Sequence, residues 1–339
     1  YRRLMQQPSL IREECLALLK RGELRDQPII IDEVQKIPDL LDEIHWLIET
    51  KGLKFILCGS SARKLKRGYG NLLGGRALRY ELHPLVSQEI SDFSLENALN
   101  DGLLPPHYGS PISRKKLAAY VGDYLKEEIT AEAVTRNIPG FSRFFEIAAL
   151  ANGEIIQFSN IARECGVSPP TVRSYYQILE DTLIGRSIPS FQKRPKRRVI
   201  QAPRFYFFDV GVVGSLTRRG RIEPGSELFG RAFEHFLLME LSAHSSYSGL
   251  NYPISYWRTA SQLEVDFILG EHEVALEITG TEKAQTHHLR GLFSFGDEYK
   301  IRRRILVTRD PHPRIFEGKI EILPWKIFLE DLWGGKILR

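Results

Sequence analysis

Two short apolar runs on either side of a helical pattern constrain the fold of the N-terminal part most strongly. Residues 28–31 are Pro-Ile-Ile-Ile, a β-branched run typical of a strand that is buried on both faces. Residues 54–58, Lys-Phe-Ile-Leu-Cys, indicate a second buried strand. Between the two runs, Ile44, Leu47 and Ile48 recur at helical spacing. A strand, a helix and a strand joined by short loops form a parallel sheet, so the sequence predicts an α/β fold.

Two adjacent carboxylates, Asp32 and Glu33, follow the first of these strands directly. The carboxyl end of a parallel strand is the place where an open α/β sheet binds its ligands. The pair resembles the Walker B arrangement of P-loop ATPases, where the aspartate helps to hold magnesium and the glutamate polarises the attacking water. Ser60, at the end of the second strand, could place a hydroxyl group beside this site as a sensor of the γ-phosphate. The alternative is that Asp32 and Glu33 are an ordinary solvated strand end.

Length and composition exclude several classes of protein. The chain has 339 residues, which suggests two or three domains, and its 42% hydrophobic and 26% charged residues argue against general disorder. No apolar stretch approaches the roughly 18 to 20 residues of a membrane span, so no membrane partner is expected. Cys15, Cys58 and Cys165 lie far apart, which excludes a cysteine-based zinc site and a disulfide framework. This cysteine usage indicates a reducing, cytoplasmic setting.

The basic character of the chain is concentrated in one segment. The formal net charge is +5, from 47 Lys and Arg against 42 Asp and Glu. Residues 182–208 contain no acidic residue and seven basic ones, and without these seven the remaining chain has 40 basic residues against 42 acidic. The seven are Arg186, Lys193, Arg194, Lys196, Arg197, Arg198 and Arg204.

The residues before this segment indicate a helix-turn-helix. The pattern over 158–168 is a short helix, a turn at Gly166 and a new helix start, with Ser159 and Ser168 as expected N-caps. Pro169 suits the first position of the second helix. A core is expected from Ile161, Ala162, Val167, Val172 and Leu179. The basic hairpin that follows stands where a wing would stand, so the unit resembles a winged helix.

This unit is a candidate DNA-binding surface. The residues expected to face a DNA groove are Thr171, Arg173 and Ser174, with Pro170 and Gln177 beside them. Lys193, Arg194, Lys196, Arg197 and Arg198 are expected to contact phosphates, which would give salt-sensitive binding with little sequence preference. Glu180 and Asp181 argue against DNA. The alternative is a structural lid on the preceding domain, with its charges on a solvated face.

Residues 229–308 show the order helix, three strands, helix, strand. Glu234 lies on the first helix, and Asp266 and Glu277 lie on adjacent strands, where they can meet across a hairpin. This order resembles the PD-(D/E)XK nuclease fold, in which an aspartate and a Glu-x-Lys triplet bind magnesium and activate water. The lysine position is Thr279 here, and Lys283 is the nearest substitute. A nucleic-acid-binding or structural module is therefore favoured over a magnesium-dependent nuclease.

The chain as a whole resembles the AAA-type P-loop ATPases of bacteria and archaea that carry an uncharacterised C-terminal domain. Three sequence blocks carry the resemblance: Ile-Asp-Glu-Val-Gln-Lys-Ile-Pro at 31–38, Leu-Cys-Gly-Ser-Ser-Ala-Arg-Lys-Leu at 57–65, and Leu-Leu-Gly-Gly-Arg-Ala-Leu-Arg-Tyr-Glu-Leu-His-Pro-Leu at 72–85. The resemblance implies ATP and Mg²⁺ as cofactors, with Asp32 as the metal ligand and Glu33 as the water-activating base. Arg76 could stabilise transition-state charge on a nucleotide of its own or a neighbouring subunit, which leaves a homo-oligomer open; an ordinary strand-edge arginine is the alternative.

One departure from that family is a missing phosphate loop. No Gly-x-x-x-x-Gly-Lys-Ser/Thr motif occurs in the chain, so the backbone N–H groups and the lysine that bind phosphate are absent from it. Because Asp32 and Glu33 are present and the first residue is Tyr1, we expect an ATPase whose N-terminal part is cut short. A degenerate ATPase remnant is the alternative.

The expected fold class is α/β in three parts: a truncated P-loop ATPase parallel sheet over 1–100, a helical linker and winged helix-turn-helix over 112–208, and a restriction-endonuclease-like α/β domain over 222–339. The stretch 84–111, with its prolines and glycines, is interpreted as the linker into the second part. ATP turnover coupled to a DNA-binding C-terminal region is the expected function. A non-catalytic DNA-binding protein and a magnesium-dependent nuclease with a degenerate site are the alternatives.

Overall fold

A computed structural model describes residues 2–24, 27–59, 77–125, 137–192 and 199–338. The chain divides into two compact units. The first comprises residues 1–80 and 181–183, and the second comprises residues 81–180 and 184–339. The three domain ranges that the sequence predicts, 1–100, 112–208 and 222–339, stay predictions.

The first unit contains the predicted strand–helix–strand. Its elements are α1 (Arg2–Gln6), α2 (Leu10–Lys20), β1 (Ile29–Ile31), a 3-10 turn (Val34–Lys36), α3 (Leu40–Lys51) and β2 (Phe55–Leu57). β1 and β2 pair in parallel, with Ile29 opposite Phe55 and Ile31 opposite Leu57. The α/β prediction is therefore confirmed for this region.

One face of this two-stranded sheet is covered and the other is open. α2 and α3 contribute buried Ile11, Cys15 and Ile44 to the core on which Ile29 packs. Successive side chains of a strand point to opposite faces, and Ile30 and its partner Ile56 are 66% and 46% exposed. The expectation that the first strand is buried on both faces is wrong within the described ranges, because helices cover one side alone there.

The second unit is larger and mixed. Its helices are α4 (Leu95–Asp101), α5 (Ser113–Ala119) continuing into a π-helical segment (Tyr120–Leu125), α6 (Ile138–Leu150), α7 (Phe158–Cys165), α8 (Pro169–Asp181), α9 (Val210–Leu216), α10 (Glu227–Tyr247), α11 (Arg290–Glu298) and α12 (Trp325–Trp333). Its strands are β3 (Gly185–Ile188), β4 (Arg204–Phe207), β5 (Ile254–Arg258), β6 (Glu264–Leu269), β7 (Val274–Ile278), β8 (Arg303–Thr308), β9 (Arg314–Phe316) and β10 (Ile320–Pro324), and short 3-10 turns lie at Ser87–Glu89 and Thr286–Leu289. No helix in the described ranges has the length and apolar character that crossing a membrane requires.

Six of the described strands form the C-terminal sheet in the order β5-β6-β7-β8-β10-β9. β5, β6 and β7 are an antiparallel meander, whereas β7, β8 and β10 pair in parallel. The sequence predicted the order α10, three strands, α11 and β8, and the structure has that order. α10 and α12 pack on one face of the sheet and α11 packs on the other, so the sheet is the middle of three layers.

The helical part of the second unit contains two consecutive helices joined by a tight turn, in the order that the sequence predicted. α7 and α8 are joined by a turn at Gly166, whose φ of 67° is the left-handed conformation that glycine favours. Ile161, Ala162, Val172 and Leu179 are buried and Val167 is partly buried, in a core shared with α6 and β4. Ser168 caps α8, because its Oγ accepts the N–H of Thr171 at 3.3 Å. Ser159 is not a cap, since α7 begins at Phe158.

The stretch 84–111 is not a linker. It includes α4, and Ala98, Leu99 and Leu103 are buried in the same core as Phe236 of α10 and the sheet residue Phe267. These buried apolar side chains anchor the segment in the core, although its prolines and glycines are typical of a linker. The segment is therefore an integral part of the second unit.

Candidate functional site

The two predicted ATPase carboxylates lie at the carboxyl end of β1, where the chain reverses. The ladder between β1 and β2 continues one step past the strands, because the N–H of Cys58 donates to Ile31 at 2.9 Å and the N–H of Val34 donates to Cys58 at 3.0 Å. Glu33 takes up the turn with a left-handed φ of 53°. Its N–H donates to Oδ1 of Asp32 at 2.9 Å, which orients that carboxylate.

The two carboxylates have different surroundings. Asp32 is exposed at the sheet edge, which suits a ligand of a nucleotide-bound magnesium ion. Glu33 is half-buried, and its Oε2 accepts the Nε2–H of Gln35 at 2.8 Å and lies 3.4 Å from Nζ of Lys36. Ser60 and Arg76, the other residues predicted for this site, lie outside the described residues.

A glycine and a buried glutamine fix the end of β2. A Cβ on Gly59 would overlap the side-chain amide of Gln35, so the absence of a side chain lets Gln35 approach the backbone. Gln35 is 5% exposed and holds Glu33. Gln35 was not among the residues predicted from the sequence; its signal there is its position two residues after Glu33, between Val34 and Lys36.

The three nuclease-like carboxylates come together in the second unit. Glu234 lies on α10, Asp266 on β6 and Glu277 on β7, as predicted. The pairing of Phe267 with Leu276 places Asp266 next to Glu277 on the neighbouring strand. Oδ2 of Asp266 accepts the N–H of Ile278 at 2.8 Å.

Arg204, one of the seven basic residues of the acid-free segment, lies among these carboxylates. Nη1 of Arg204 is 3.3 Å from Oε1 of Glu234 and 3.8 Å from Oδ1 of Asp266, and Nη2 contacts Oε1 of Glu264. The Arg204 side chain is 6% exposed, and its guanidinium stacks 4.7 Å from the ring centre of Tyr256. A signal for this position exists in the sequence, because Arg204 and Tyr206 share one face of β4 by the two-residue period of a strand.

Two carboxyl groups of this cluster, Asp266 and Glu277, have raised pKa values. Burial raises the pKa of Asp266, the charge of Glu234 raises it further, and Arg204 opposes both. Burial also raises the pKa of Glu277, with Asp266 and Glu234 adding to the effect. Oε2 of Glu277 is buried without a hydrogen-bond partner among the described residues. Such an atom is costly when ionised, which fits a carboxyl group that keeps its proton.

The cluster does not fit a catalytic magnesium ion. Within the described ranges no group of three His, Cys, Asp or Glu side chains has a metal-binding arrangement. The guanidinium of Arg204 lies between the carboxylates that would ligate the ion. Thr279 holds the lysine position, and the exposed Lys283 makes no ion pair with the three carboxylates in the part of the chain that the structure describes. The carboxylates are therefore occupied by Arg204, and the lysine that a magnesium-dependent nuclease uses is replaced by Thr279.

The predicted DNA-facing residues of α8 lie on its outer side. Arg173 and Ser174 are exposed and Thr171 is half-buried. The guanidinium of Arg173 stacks 3.9 Å from the ring centre of Phe158, and the hydroxyl groups of Thr171 and Ser174 make local hydrogen bonds to Ser168 and Pro170. The hydrogen bonds among Ser168, Pro170, Thr171 and Ser174 build the start of α8, and Arg173 and Ser174 form part of its outer surface.

The basic hairpin is held against the C-terminal sheet. On one arm the N–H of Phe191 donates to Tyr256 at 2.7 Å, and on the other the N–H of Ile200 donates to Arg258 at 2.9 Å. Both acceptors lie on β5, the edge strand. The five predicted phosphate contacts, Lys193, Arg194, Lys196, Arg197 and Arg198, lie outside the described residues. Of the other two basic residues, Arg204 is buried and Arg186 lies 3.5 Å from Glu81.

Comparison with known proteins divides the chain into three matched regions. Residues 2–91 match a family described as an AAA domain. Residues 92–222 match a domain of unknown function (DUF8612), and residues 229–328 match another domain of unknown function (DUF4143). The matches relate the N-terminal region to AAA domains and the rest of the chain to two domains of unknown function.

Two curated relatives match over most of this chain. They are the uncharacterized proteins Rv2008c of Mycobacterium tuberculosis and Mb2031c of Mycobacterium bovis, each 26% identical over 246 residues. The match covers 70% of this chain and 55% of each relative, so the chain spans about half the length of the curated relatives it matches. No solved structure gives a significant match.

Proposed function

We propose that the protein is an AAA-type ATPase in which Asp32 serves the magnesium ion and Glu33 activates the attacking water. The observation that carries the proposal is the placement of an exposed aspartate and a hydrogen-bonded glutamate at the carboxyl end of β1, beside the end of parallel strand β2. That edge is where an α/β sheet presents catalytic groups to a ligand. The AAA-domain match over residues 2–91 supports the same reading.

Within this proposal Gln35 and Lys36 position the base. Their contacts with Oε2 of Glu33 hold the carboxylate in one orientation, at 2.8 Å and 3.4 Å. Orientation of a base relative to its water is a large part of what such a group contributes to phosphoryl transfer. No Gly-x-x-x-x-Gly-Lys-Ser/Thr loop occurs in this sequence, so the test is made on the gene product as it is expressed.

The test is Mg²⁺-dependent ATP hydrolysis by the gene product as it is expressed and by its Glu33→Gln variant. We expect the variant to keep its ATP affinity and to lose at least about a hundredfold in turnover, the usual contribution of a general base. Glu13→Gln, an exposed glutamate on α2, is the matched control and should hydrolyse ATP at the parent rate. Absence of ATP affinity, or unchanged turnover in Glu33→Gln, would remove the proposal.

DNA binding through α8 and the basic hairpin is the second proposed function. The outer side of α8 presents Arg173 and Ser174, and the acid-free segment follows directly. Glu180, which counted against DNA, is occupied internally, because its Oε1 accepts the N–H of Ser187 at 2.9 Å. Neutralisation of phosphates by lysine and arginine makes binding fall steeply with salt concentration.

The salt dependence of duplex binding tests this second proposal. The triple variant Lys196→Ala, Arg197→Ala, Arg198→Ala should bind more weakly, with a salt slope shallower by up to about three. A control triple removes the same charge from exposed positions elsewhere, at Arg114, Lys115 and Lys319. Equal losses in both triples would show a general charge effect and would reject the hairpin as the contact surface.

A further inference from the structure

Strand β4 carries two different surfaces, one on each face. Phe205 and Phe207 point into the helical core, where their ring centres lie 4.9 Å from Tyr176 and 5.5 Å from Phe145 respectively. Arg204 and Tyr206 point the other way, toward the carboxylates of α10 and β6. One strand of four residues therefore joins the helix-turn-helix to the C-terminal sheet domain.

Both side chains on the face of β4 that points toward the carboxylates have acidic partners. Arg204 contacts Glu234, Glu264 and Asp266, while the hydroxyl group of Tyr206 donates to Glu234. Arginine keeps its charge when buried, and its planar fork of five N–H donors can serve several carboxylates at once. With a side chain 6% exposed, Arg204 relies on these carboxylates in place of water.

A divalent cation and this guanidinium cannot share the position. Magnesium requires six oxygen ligands at about 2.0–2.1 Å in near-octahedral geometry, which leaves no room for nitrogen atoms at hydrogen-bond distance from the same carboxylates. The guanidinium is part of the chain and arrives with β4, so it does not have to be captured from solution. Its covalent tether gives it an effective concentration that a free ion at cellular levels does not match.

We propose that Arg204 takes the place of a divalent cation in this cluster, so that the C-terminal domain clamps strand β4 and does not bind a catalytic metal. The domain thereby fixes the helix-turn-helix and the hairpin arms on one body. Its carboxylates bind an arginine of the same chain, and the nuclease-like arrangement of Glu234, Asp266 and Glu277 is a structural site.

Titration of the wild-type chain with Mn²⁺, a surrogate for Mg²⁺, tests the proposal directly. Calorimetry measures Mn²⁺ binding to the wild type and to Asp266→Asn. We expect that no saturable Mn²⁺ binding seen with the wild type is lost in Asp266→Asn. Saturable Mn²⁺ binding to the wild type that disappears in Asp266→Asn would overturn the proposal. Plasmid cleavage with the same dependence on Asp266 would overturn it equally.

Thermal melting of Arg204→Gln supplies the second arm. We expect the melting temperature to fall by about 10 °C, because removing one partner leaves buried carboxylates uncompensated. The double variant Arg204→Gln/Asp266→Asn should recover part of this fall, because it also removes one of those carboxylates. Arg221→Gln is the control, since Arg221 pairs with Glu96 at 2.7 Å with both side chains more than half exposed, and it should shift the melting temperature by no more than about 2 °C.

A fall in Arg204→Gln no larger than that in Arg221→Gln would contradict the clamp. If Arg204→Gln does not fold, the Mn²⁺ titration of the wild type decides alone. ATP hydrolysis does not enter either arm, so failure of the ATPase proposal leaves the result interpretable.

Discussion

A buried aspartate, Asp209, holds the start of α9 and makes a testable contribution to stability. The residue is 0% exposed. Oδ1 accepts the N–H of Val212 at 2.9 Å, and Oδ2 accepts the N–H of Leu103 at 2.7 Å, just after α4. Burial raises the pKa of Asp209 to about 6, against the opposing effects of these N–H groups and of Arg219. One carboxylate therefore caps a helix and ties it to the segment beyond α4.

The perturbation is Asp209→Asn, which keeps the size of the side chain and removes its titration. The native pKa is about 6 and the ordinary value of an aspartate is 3.8, so the native state binds the proton more tightly by about two pKa units. At about 1.4 kcal/mol per unit, this is a free energy of about 3 kcal/mol. Stability from this group is therefore gained as the pH falls from about 6 to about 4, and it is absent at pH 7.

The assay is urea denaturation followed by tryptophan fluorescence at several pH values. Trp257, Trp325 and Trp333 all lie in the second unit, where they report on the fold around Asp209. The unfolding free energy of wild type minus that of Asp209→Asn should shift in favour of the wild type by about 2.4 kcal/mol between pH 7 and pH 4, because the rest of the effect develops only below the unfolded-state pKa. Other titrating groups cancel in this difference, and the exposed Asp297→Asn serves as control. A difference that stays constant to within about 0.5 kcal/mol across that range would refute the reasoning, because the carboxyl would then titrate alike in both states.

Two further predictions concern glycine and cysteine. Gly211→Ala should destabilise the second unit by about 1–3 kcal/mol in thermal melts, because a Cβ there would lie 2.6 Å from the backbone of Asp101 and Gly102. Gly230→Ala, at a helical position with nothing within 4 Å, should be neutral or stabilising by up to about 1 kcal/mol, and equal losses would contradict the packing argument. Iodoacetamide at pH 7.5 should alkylate the exposed Cys58 well before Cys15 and Cys165, because burial shields the latter two and raises their thiol pKa values. Peptide mass spectrometry over time measures the rates, and similar rates at all three would show that the buried sites open readily.

Local sequence patterns were sufficient where neighbours along the chain determine the structure. The parallel pairing of β1 and β2 follows from two apolar runs and the amphipathic helix between them. The cap at Ser168 and the left-handed Gly166 follow from turn chemistry within a few residues. Asp266 and Glu277 were placed together because hairpin strands bring positions eleven residues apart into register.

Patterns failed where the partner is distant in sequence. Arg204 resembled one more charge of a basic cluster, and its acidic partners lie at positions 234, 264 and 266. Likewise α4 is short and follows a proline- and glycine-bearing stretch, and its burial depends on α9 and α10, which lie more than a hundred residues further along the chain. Burial decided both outcomes, and local composition does not encode it.

Arg186 and Arg204 each pair with acidic side chains of the protein itself, so not every basic residue of the acid-free segment is available to a partner. Arg186 pairs with Glu81 and Arg204 pairs with the carboxylate cluster, so the basic residues of the segment that these two pairings do not involve are the five within 193–198. The arms on both sides of those five are bonded to β5, and β4 is joined to the carboxylates behind it. A polyanion that neutralises the hairpin would therefore bind to arms already fixed on the C-terminal sheet, and it would meet α8 and that sheet as parts of one body.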